Sequence, residues 1–403
     1  MVRHIKHPIY RTLLILILIT VVAVGAIAYG RGYRISRDET GRNIVAGTGL
    51  LVLTSTPDGA RAFVDGELAT ATNNTINLKP GNYSVRIEKD GYFAWEKEIT
   101  ITNEQVTETG ALLFPKAPQL TSLTTTGITN PITDREGQLI AYTVSSASAD
   151  LKGVYVMNLD RGILPIGDSK KQITSNLIDN FSDANLEISP DGSQILASIA
   201  PQASGSARTY LLDTSGFNSS PQLVTSTAEI IRQDWIEEEN AIMEAKIRSL
   251  SSRARSLVNT YFDSPLFSPE EDKVLYVASV SAQLPQVINP KIPSTNSTPE
   301  IRNITEGNLY VYNIKDDRNY LIKEKNEGNF PEFTWLPQGN HLLYIDGNRI
   351  NSIEYDGKNN TTVYAGPFLN NFITPWIDGT GIVILTSFND PSFPPNLYRV
   401  VFR

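Results

Sequence analysis

Residues 12–29, TLLILILITVVAVGAIAY, are an apolar run without a single charged side chain, bracketed by Arg11 and Arg31. At 1.5 Å of rise per residue, a helix of that length spans roughly 27 Å, about the hydrocarbon thickness of a bilayer. The pattern predicts a transmembrane helix at 12–29, a short tail at 1–11, and a tether at 30–47, where glycines and charges follow one another without period. From residue 48 the period becomes two. Tyr83, Val85 and Ile87 alternate with Ser84, Arg86 and Glu88, and Ile99 and Ile101 with Glu98, Thr100 and Thr102, as in strands buried on one face. Turn residues separate these strands: Pro57, Asp58, Gly59 and Ala60 first, then Asp65-Gly66, Pro80-Gly81 and Lys89-Asp90-Gly91. Asp-Gly between two short apolar stretches is a strong hairpin signal. The expectation for 48–110 is a small antiparallel β-sandwich of about five strands.

After a proline-interrupted linker at 111–123, a longer pattern recurs through 124–403. Each copy has a turn, an apolar strand, and further strands rich in Tyr and Val. Asp134-Arg135-Glu136-Gly137 precedes the strand at 139–144, and Ser189-Pro190-Asp191-Gly192 the strand at 195–199. Ser268-Pro269-Glu270-Glu271, Leu336-Pro337-Gln338-Gly339 and Trp376-Ile377-Asp378-Gly379 precede 274–278, 342–345 and 382–386. In such a turn Pro fixes φ on entry and Gly supplies the φ > 0 position. At least five copies are present, and short strands in this rhythm predict the blades of a β-propeller. Two insertions break it. In 228–250, Ile231, Trp235, Ile242, Ala245 and Leu250 make one apolar face with acids ahead of bases, which predicts an amphipathic helix. One apolar face is what packing on a blade requires, and a partner-binding helix is the alternative. Residues 283–299 hold four prolines among Ser, Thr and Asn and predict a flexible loop. The fold class expected is all-β behind an N-terminal transmembrane helix.

Two stretches carry family likenesses. The string STPDGARAFVDG at 55–66, followed by LKPGNYSVRIEKDGY at 78–92, resembles the PEGA domain, a small envelope-associated β module named for its Pro-Glu-Gly-Ala turn. Pro57, Gly59 and Ala60 match that turn, and Asp58 stands where the Glu would be. The resemblance implies adhesion, spacing or partner contact, and no catalytic residue. Ser189, Pro190, Asp191 and Gly192 ahead of an apolar strand are similar to the blade turn of TolB-like and WD40-like propellers. Other copies have lost the Gly or the Pro, and the Trp-Asp and Gly-His dipeptides of WD40 repeats do not occur.

Composition narrows the partners. A net charge of -8, despite a basic tail, argues against nucleic acid and against docking on anionic lipid. With no Cys there is no disulfide, thiolate metal site, thiol nucleophile or lipidated Cys. An exported chain so composed relies on core burial, as suits a bacterial envelope protein. Arg3, Lys6 and Arg11 have no acidic neighbour in the tail, whereas Arg31, Arg34 and Arg37 run into Asp38 and Glu39. Large domains translocate largely regardless of flanking charge, so the expected topology is single-pass in the cell membrane, N-terminus cytoplasmic and bulk extracytoplasmic. The competing reading is a signal peptide cleaved after residue 28, since Ala26-Ile27-Ala28 fits the small-x-small pattern.

Candidate chemistry is sparse. His4 and His7 lie in the tail, and His341, at the start of an apolar strand, reads as a surface or edge histidine rather than a base. No Gly-x-Ser-x-Gly elbow, phosphate loop or metal-ligand spacing occurs. The expectation is that the chain ends with its last blade and has no room for a catalytic domain. Trp335, Trp376, Phe372, Tyr344 and Tyr355 read as blade core, with stacking on sugars or peptides as the alternative. The expectation is therefore a non-catalytic binding or scaffold protein without cofactor or metal, anchored in the membrane and presenting both modules to envelope proteins or to cell-wall and surface glycans. Two alternatives stand: a TolB-like assembly or transport factor binding partner peptides, and a glycan-active enzyme using carboxylates, whose spacing leaves no linear trace.

Overall fold

The apolar run folds as a helix, α1 (His7–Gly30), in the computed structural model, which describes residues 7–30, 34–37, 43–145, 148–159, 170–201, 206–292, 296–325, 330–390 and 392–402. The window Tyr10–Ile27 has a mean hydropathy of 2.3, and no part of it is buried by the rest of the chain. A membrane anchor and a signal sequence both have this character. Arg3, Lys6 and residues 31–33 and 38–42 of the expected tether lie outside the described residues. Between them, Arg34–Arg37 pairs antiparallel with Asn43–Ala46, so the described part of the tether is a two-stranded ladder rather than an aperiodic tether.

The chain divides into two compact units, Met1–Leu113 with Pro293–Pro299, and Phe114–Ile292 with Glu300–Arg403. In the first, beyond the ladder of Arg34–Arg37 with Asn43–Ala46, seven strands among the described residues build two sheets: β1 (Gly49–Thr56), β2 (Arg61–Val64), β3 (Glu67–Ala71), β4 (Asn74–Leu78), β5 (Gly81–Glu88), β6 (Trp95–Ile101) and β7 (Val106–Leu112). One sheet has the order β4-β1-β7 and the other β3-β2-β5-β6. Leu51, Leu53, Val85, Ile87, Trp95, Ile99 and Ile101 fill the space between them, as period-two alternation requires. Asp65 and Gly66 are both left-handed, with φ of 51° and 83°, which matches the twist of the hairpin they close. The sandwich is not wholly antiparallel. β1 and β7 run parallel from Leu50 opposite Val106 to Thr56 opposite Leu112. Alternation states which face a strand buries and is silent on the direction of its neighbour.

The second unit contains five four-stranded antiparallel sheets among the described residues. The first four take their strands in chain order: Ile128–Thr133 to Lys170–Ser175, Asn185–Ile188 to Gln222–Leu223, Phe262–Phe267 to Arg318–Lys323 with a separate two-stranded ladder between its second and third strands, and Phe333–Trp335 to Thr361–Tyr364. The fifth takes Ile373–Pro375, Gly381–Thr386 and Asn396–Val401, and completes itself with Gln119–Ser122 from the start of the unit. Residues 111–123 are thus more than a junction. Thr124 donates its hydroxyl to Asn396 Oδ1 at 3.0 Å and accepts the Leu397 N–H at 2.9 Å, so the strand that completes the last blade is pinned there. Apolar layers join neighbours: Val154 and Ile173 pack with Ile195 and Leu212, Tyr142 and Met157 with Val383 and Leu397, and Leu275 and Val311 with Trp335 and Leu342. Blade order with a shared closing blade is the architecture of a propeller.

Helices α2 (Ala228–Ser249) and α3 (Ser252–Tyr261) stand between the second and third blades. Near its start α2 sends Arg232 to Glu187 of the second blade at 2.8 Å; near its end Lys246 meets Glu271 of the third at 2.9 Å. Met243, Ile247 and Leu250, with Leu257 and Val258 of α3, cover Tyr276 and Tyr312 of the third blade. This helix packs on the third blade, with Met243 and Ile247 in the contact and Ala245, expected there, exposed. The stretch expected to be flexible, 283–299, is tied down over part of its length. Ala282–Gln283 pairs with Asn303–Ile304, and the N–H groups of Val287 and Ile288 both donate to Asp317. Residues 293–295 lie outside the described set.

Candidate functional site

The turn 57–60 is built from below. Gly59 is left-handed at φ 66°, and Ala60 is fully buried, so neither tolerates a larger side chain. Asp58 is exposed and only its carbonyl is used, accepting from Lys89 Nζ at 2.6 Å; an Asp or a Glu serves equally there. Beneath the turn the Ala60 N–H donates to Thr72 Oγ1 at 2.9 Å, the two hydroxyls of Thr72 and Ser55 meet at 2.6 Å, and Ser55 donates to the Pro57 carbonyl at 2.7 Å. This relay escapes sequence reading because Thr72 lies in the bend between β3 and β4, outside the turn it supports. Around it Arg61 bridges Glu88 and Asp90, and the Arg86 guanidinium lies over the Phe63 ring at 4.7 Å.

The blade turns share one geometry despite their drift in sequence. In all five the fourth residue donates its N–H to the first carbonyl: Gly137 to Asp134, Gly192 to Ser189, Glu271 to Ser268, Gly339 to Leu336 and Gly379 to Trp376. All five fourth residues are left-handed, with φ from 54° to 71°. Asp191 Oδ1 accepts the Ser189 and Ser193 hydroxyls at 2.6 and 2.8 Å, which hold this carboxyl below its usual range; Ser189 Oγ accepts the Gln194 N–H. The acid that sequence reading singles out thus shapes its own turn. Asp134 does the same in the first blade, bonding the N–H groups of Gln138 and Leu139, but burial outweighs those bonds and raises its carboxyl. Adjacent turns touch: an added β-carbon on Gly192 would stand 3.5 Å from Asp134 Oδ2, and Gln338 Nε2 donates to the Asp378 carbonyl at 3.1 Å.

These turns give a direct test of the backbone account. Gly192→Ala finds room but forces a β-carbon into the left-handed region, and is expected to cost about 1 to 2 kcal/mol. Glu271→Gly should do the reverse, gaining up to about 1 kcal/mol less a few tenths for the partly exposed Lys246 pair. Thermal melting of both variants is the measurement; a Gly192→Ala protein that melts with the parent would show that these turns carry no strain.

His341 is not at the surface. It is 4% exposed, directly opposite Glu354 in the fourth blade, with its Nε2 3.9 Å from Glu354 Oε1 and its ring edge-on to Phe114. An apolar strand start marks a residue near a blade end, and whether that end is covered depends on Phe114, from a remote segment. Of the aromatics, Trp335 and Tyr344 are buried and Phe372, Trp376 and Tyr355 pack against the same blade cores, which favours the core reading over sugar stacking. Among the described residues no group of three or more metal-ligating side chains occurs.

The ionic centre that sequence reading missed lies in the third blade. Asp317, 2% exposed and left-handed at φ 51°, accepts the Val287 and Ile288 N–H groups at 2.8 and 2.9 Å, the Tyr312 hydroxyl at 2.7 Å, and Arg302 Nη2 at 2.9 Å. Glu300 bridges Arg302 and Arg318 beside it. Burial pushes both carboxyls up, yet their bonds and cations outweigh it and hold both below the usual range. The adjacent Asp316-Asp317 pair was the only signal, and it looks in sequence like any polar turn.

The PEGA domain model matches residues 48–115. Among curated proteins none matches the chain by sequence. Of solved structures, the putative TolB from Agrobacterium tumefaciens aligns at 14% identity over 68% of this chain and 71% of its own, with a TM-score of 0.21. TolB from Acinetobacter baumannii aligns at 13% over 78% and 59%, TM-score 0.22, and an acylaminoacyl peptidase from Pyrococcus horikoshii at 14% over 68% and 38%, TM-score 0.20. Likeness at this level adds nothing to the strand order, which by itself describes the propeller. Residues 48–115 are therefore a PEGA domain, followed in the same chain by a β-propeller whose last blade borrows a strand from the junction between them.

Proposed function

We propose that the chain is a membrane-anchored, non-catalytic binding or scaffold protein of the bacterial cell envelope, with its N-terminus cytoplasmic and its PEGA domain and propeller presented outside to surface-layer, wall or protein partners. The observation that carries this reading is the helix window Tyr10–Ile27, whose one charged residue is Arg11 at its start and which is buried nowhere by the chain that follows. About 18 such residues exposed to water would be unstable, and lipid is the solvent that removes the penalty. The non-catalytic part is supported by the engagement of the buried acids: Asp317 and Glu300 are committed to cations and amides, Glu354 accepts Asn359 Nδ2, and Asp356 accepts the Lys358 N–H. A tethered propeller gains effective concentration toward partners in the same layer.

Leu18→Lys places a charge at the centre of the helix, expected to cost about 2.5 to 3.5 kcal/mol of insertion free energy. Fractionation should find the parent in the membrane, resistant to carbonate, and the variant largely not inserted. Recovery of the parent as a soluble chain beginning at Tyr29 would replace the anchor with a cleaved signal sequence, which Ala26-Ile27-Ala28 permits, and would favour a freely diffusing, TolB-like factor that binds partner peptides.

A further inference from the structure

The two ends of the blades are chemically different. In an antiparallel blade the turn after the first strand lies at one end and the loop after the second at the other. The turn end carries Asp134, Arg135, Glu136, Asp191, Glu270 and Asp378. The loop end of the first and last blades carries large exposed apolar side chains: Leu177 at 72% exposure, Phe393 at 60%, Leu151 at 50% and Phe388 at 45%.

These residues belong to one connected surface. The Asn176 N–H donates to the Lys152 carbonyl at 3.0 Å, joining the Leu177 turn to the Leu151 loop. Ile128 donates to the Pro395 carbonyl at 2.8 Å and pairs with Val144, directly before the Leu151 loop, which brings the stretches 387–390 and 392–395 alongside. Phe388 and Asn389 are both left-handed, at φ 54° and 58°. For an aromatic residue that conformation is strained, and such strain persists where the surroundings impose it. Here the Phe388 N–H is held by Thr386 Oγ1 at 3.0 Å and its ring by Tyr398, and nearly half of the side chain still faces solvent.

The charge around this surface is mostly negative. Asp150, Asp179, Asp183 and Asp390 stand on its loops against Lys152 and Arg208, and Arg208 is already paired with Asp179 at 2.7 Å. Hydrogen bonds from Ser148 and from Ser392 keep Asp150 and Asp390 below the usual carboxylate range, so both are ionised near neutrality. Apolar anchors rimmed by acids fit an apolar face rimmed by bases and repel an anionic bilayer.

We propose that the loop end of the first and last blades is a docking surface for a basic amphipathic segment of a partner protein. The proposal rests on the binding reading above and names its surface and the chemistry of its partner. Since the chain has no Cys, Leu177→Cys provides a single site for an environment-sensitive fluorophore on the full-length protein in phosphatidylcholine nanodiscs. The probe is a synthetic Leu/Lys amphipathic helix of about 14 residues, with a Leu/Glu helix of the same pattern as control. The expected result is a blue shift with the Leu/Lys helix, at least about tenfold weaker binding of the Leu/Glu helix, and a further loss of about tenfold in Phe393→Ser with unchanged melting. Equal binding of the two helices, or binding unaffected by Phe393→Ser, overturns the proposal. So does a blue shift before any peptide is added: one that disappears in detergent assigns the surface to the bilayer, and one that grows with protein concentration assigns it to a second copy. A silent Leu177 probe sinks this surface alone, because the turn end and the PEGA domain remain open to partners; failure of the membrane reading appears separately, in the fractionation of the Leu18→Lys variant.

Discussion

Replacing Asp317 with alanine is expected to destabilise the chain by about 3 to 5 kcal/mol, the effect of stripping a buried guanidinium of its partner. The carboxylate meets four donors from three segments: Val287 and Ile288 in the long insertion, Arg302 at its return, and Tyr312 in the blade itself. Its loss leaves two amides and a phenol without their acceptor, and a largely buried arginine with Glu300 as its one remaining carboxylate. Urea denaturation measures the total, and hydrogen exchange at Val287 and Ile288 should accelerate even where the rest of the blade stays protected. Asp317→Asn, which tolerates the left-handed backbone and retains an acceptor oxygen, should lose less.

The pH dependence follows from the same carboxyls. Asp317 and Glu300 both titrate below their ordinary values in the folded chain. A depressed acid contributes stability that is fully present above its unfolded pKa, about 4, and is lost as pH falls through the lower folded value. The gap between parent and Asp317→Ala should therefore be constant near neutrality and narrow in the acid range below about pH 4. A gap that widens on acidification, or an unchanged urea midpoint at neutral pH, would show that the insertion is held by other contacts.

Phe402→Ala should be nearly as severe, about 3 to 5 kcal/mol for a fully buried aromatic ring. Its ring meets that of Phe114 edge-on at 5.1 Å, and Phe114 in turn meets His341. Its N–H donates to the Thr380 carbonyl at 2.9 Å, beside the pairing of Gln119–Ser122 with Asn396–Val401. The substitution thus removes packing where the first and last segments of the propeller meet. Beyond a lower melting temperature, amides in Gln119–Ser122 should exchange faster than those of the second blade. Uniform exchange across the blades would mean that closure by the borrowed strand is not the weak point.

Much of this architecture is local and therefore legible along the chain. The helix α1 follows from an uninterrupted apolar run, the hairpin at Asp65-Gly66 from two residues that accept positive φ, and the blade turns from the place where Gly or its substitute must stand. Glu271 shows where that legibility ends: it holds the same left-handed position as four glycines and cannot be recognised by residue type. The candidate sites divide the same way. Pro57 to Ala60 and Ser189 to Gly192 were visible as turns, but the Thr72 hydroxyl under one and the neighbouring Asp134 beside the other were not.

From its order of residues alone this protein has its apolar helix, its β character, its turns and the faces its strands bury, because each depends on neighbours a few positions away. Tertiary structure alone decided that β1 runs parallel to β7, that Gln119–Ser122 completes a blade whose other strands begin some 250 residues later, that His341 is covered, and that Asp317 gathers the long insertion. In each case the outcome depends on which edge, ring or carboxylate is still without a partner once the chain has collapsed, and distant residues must be brought together before that partner exists.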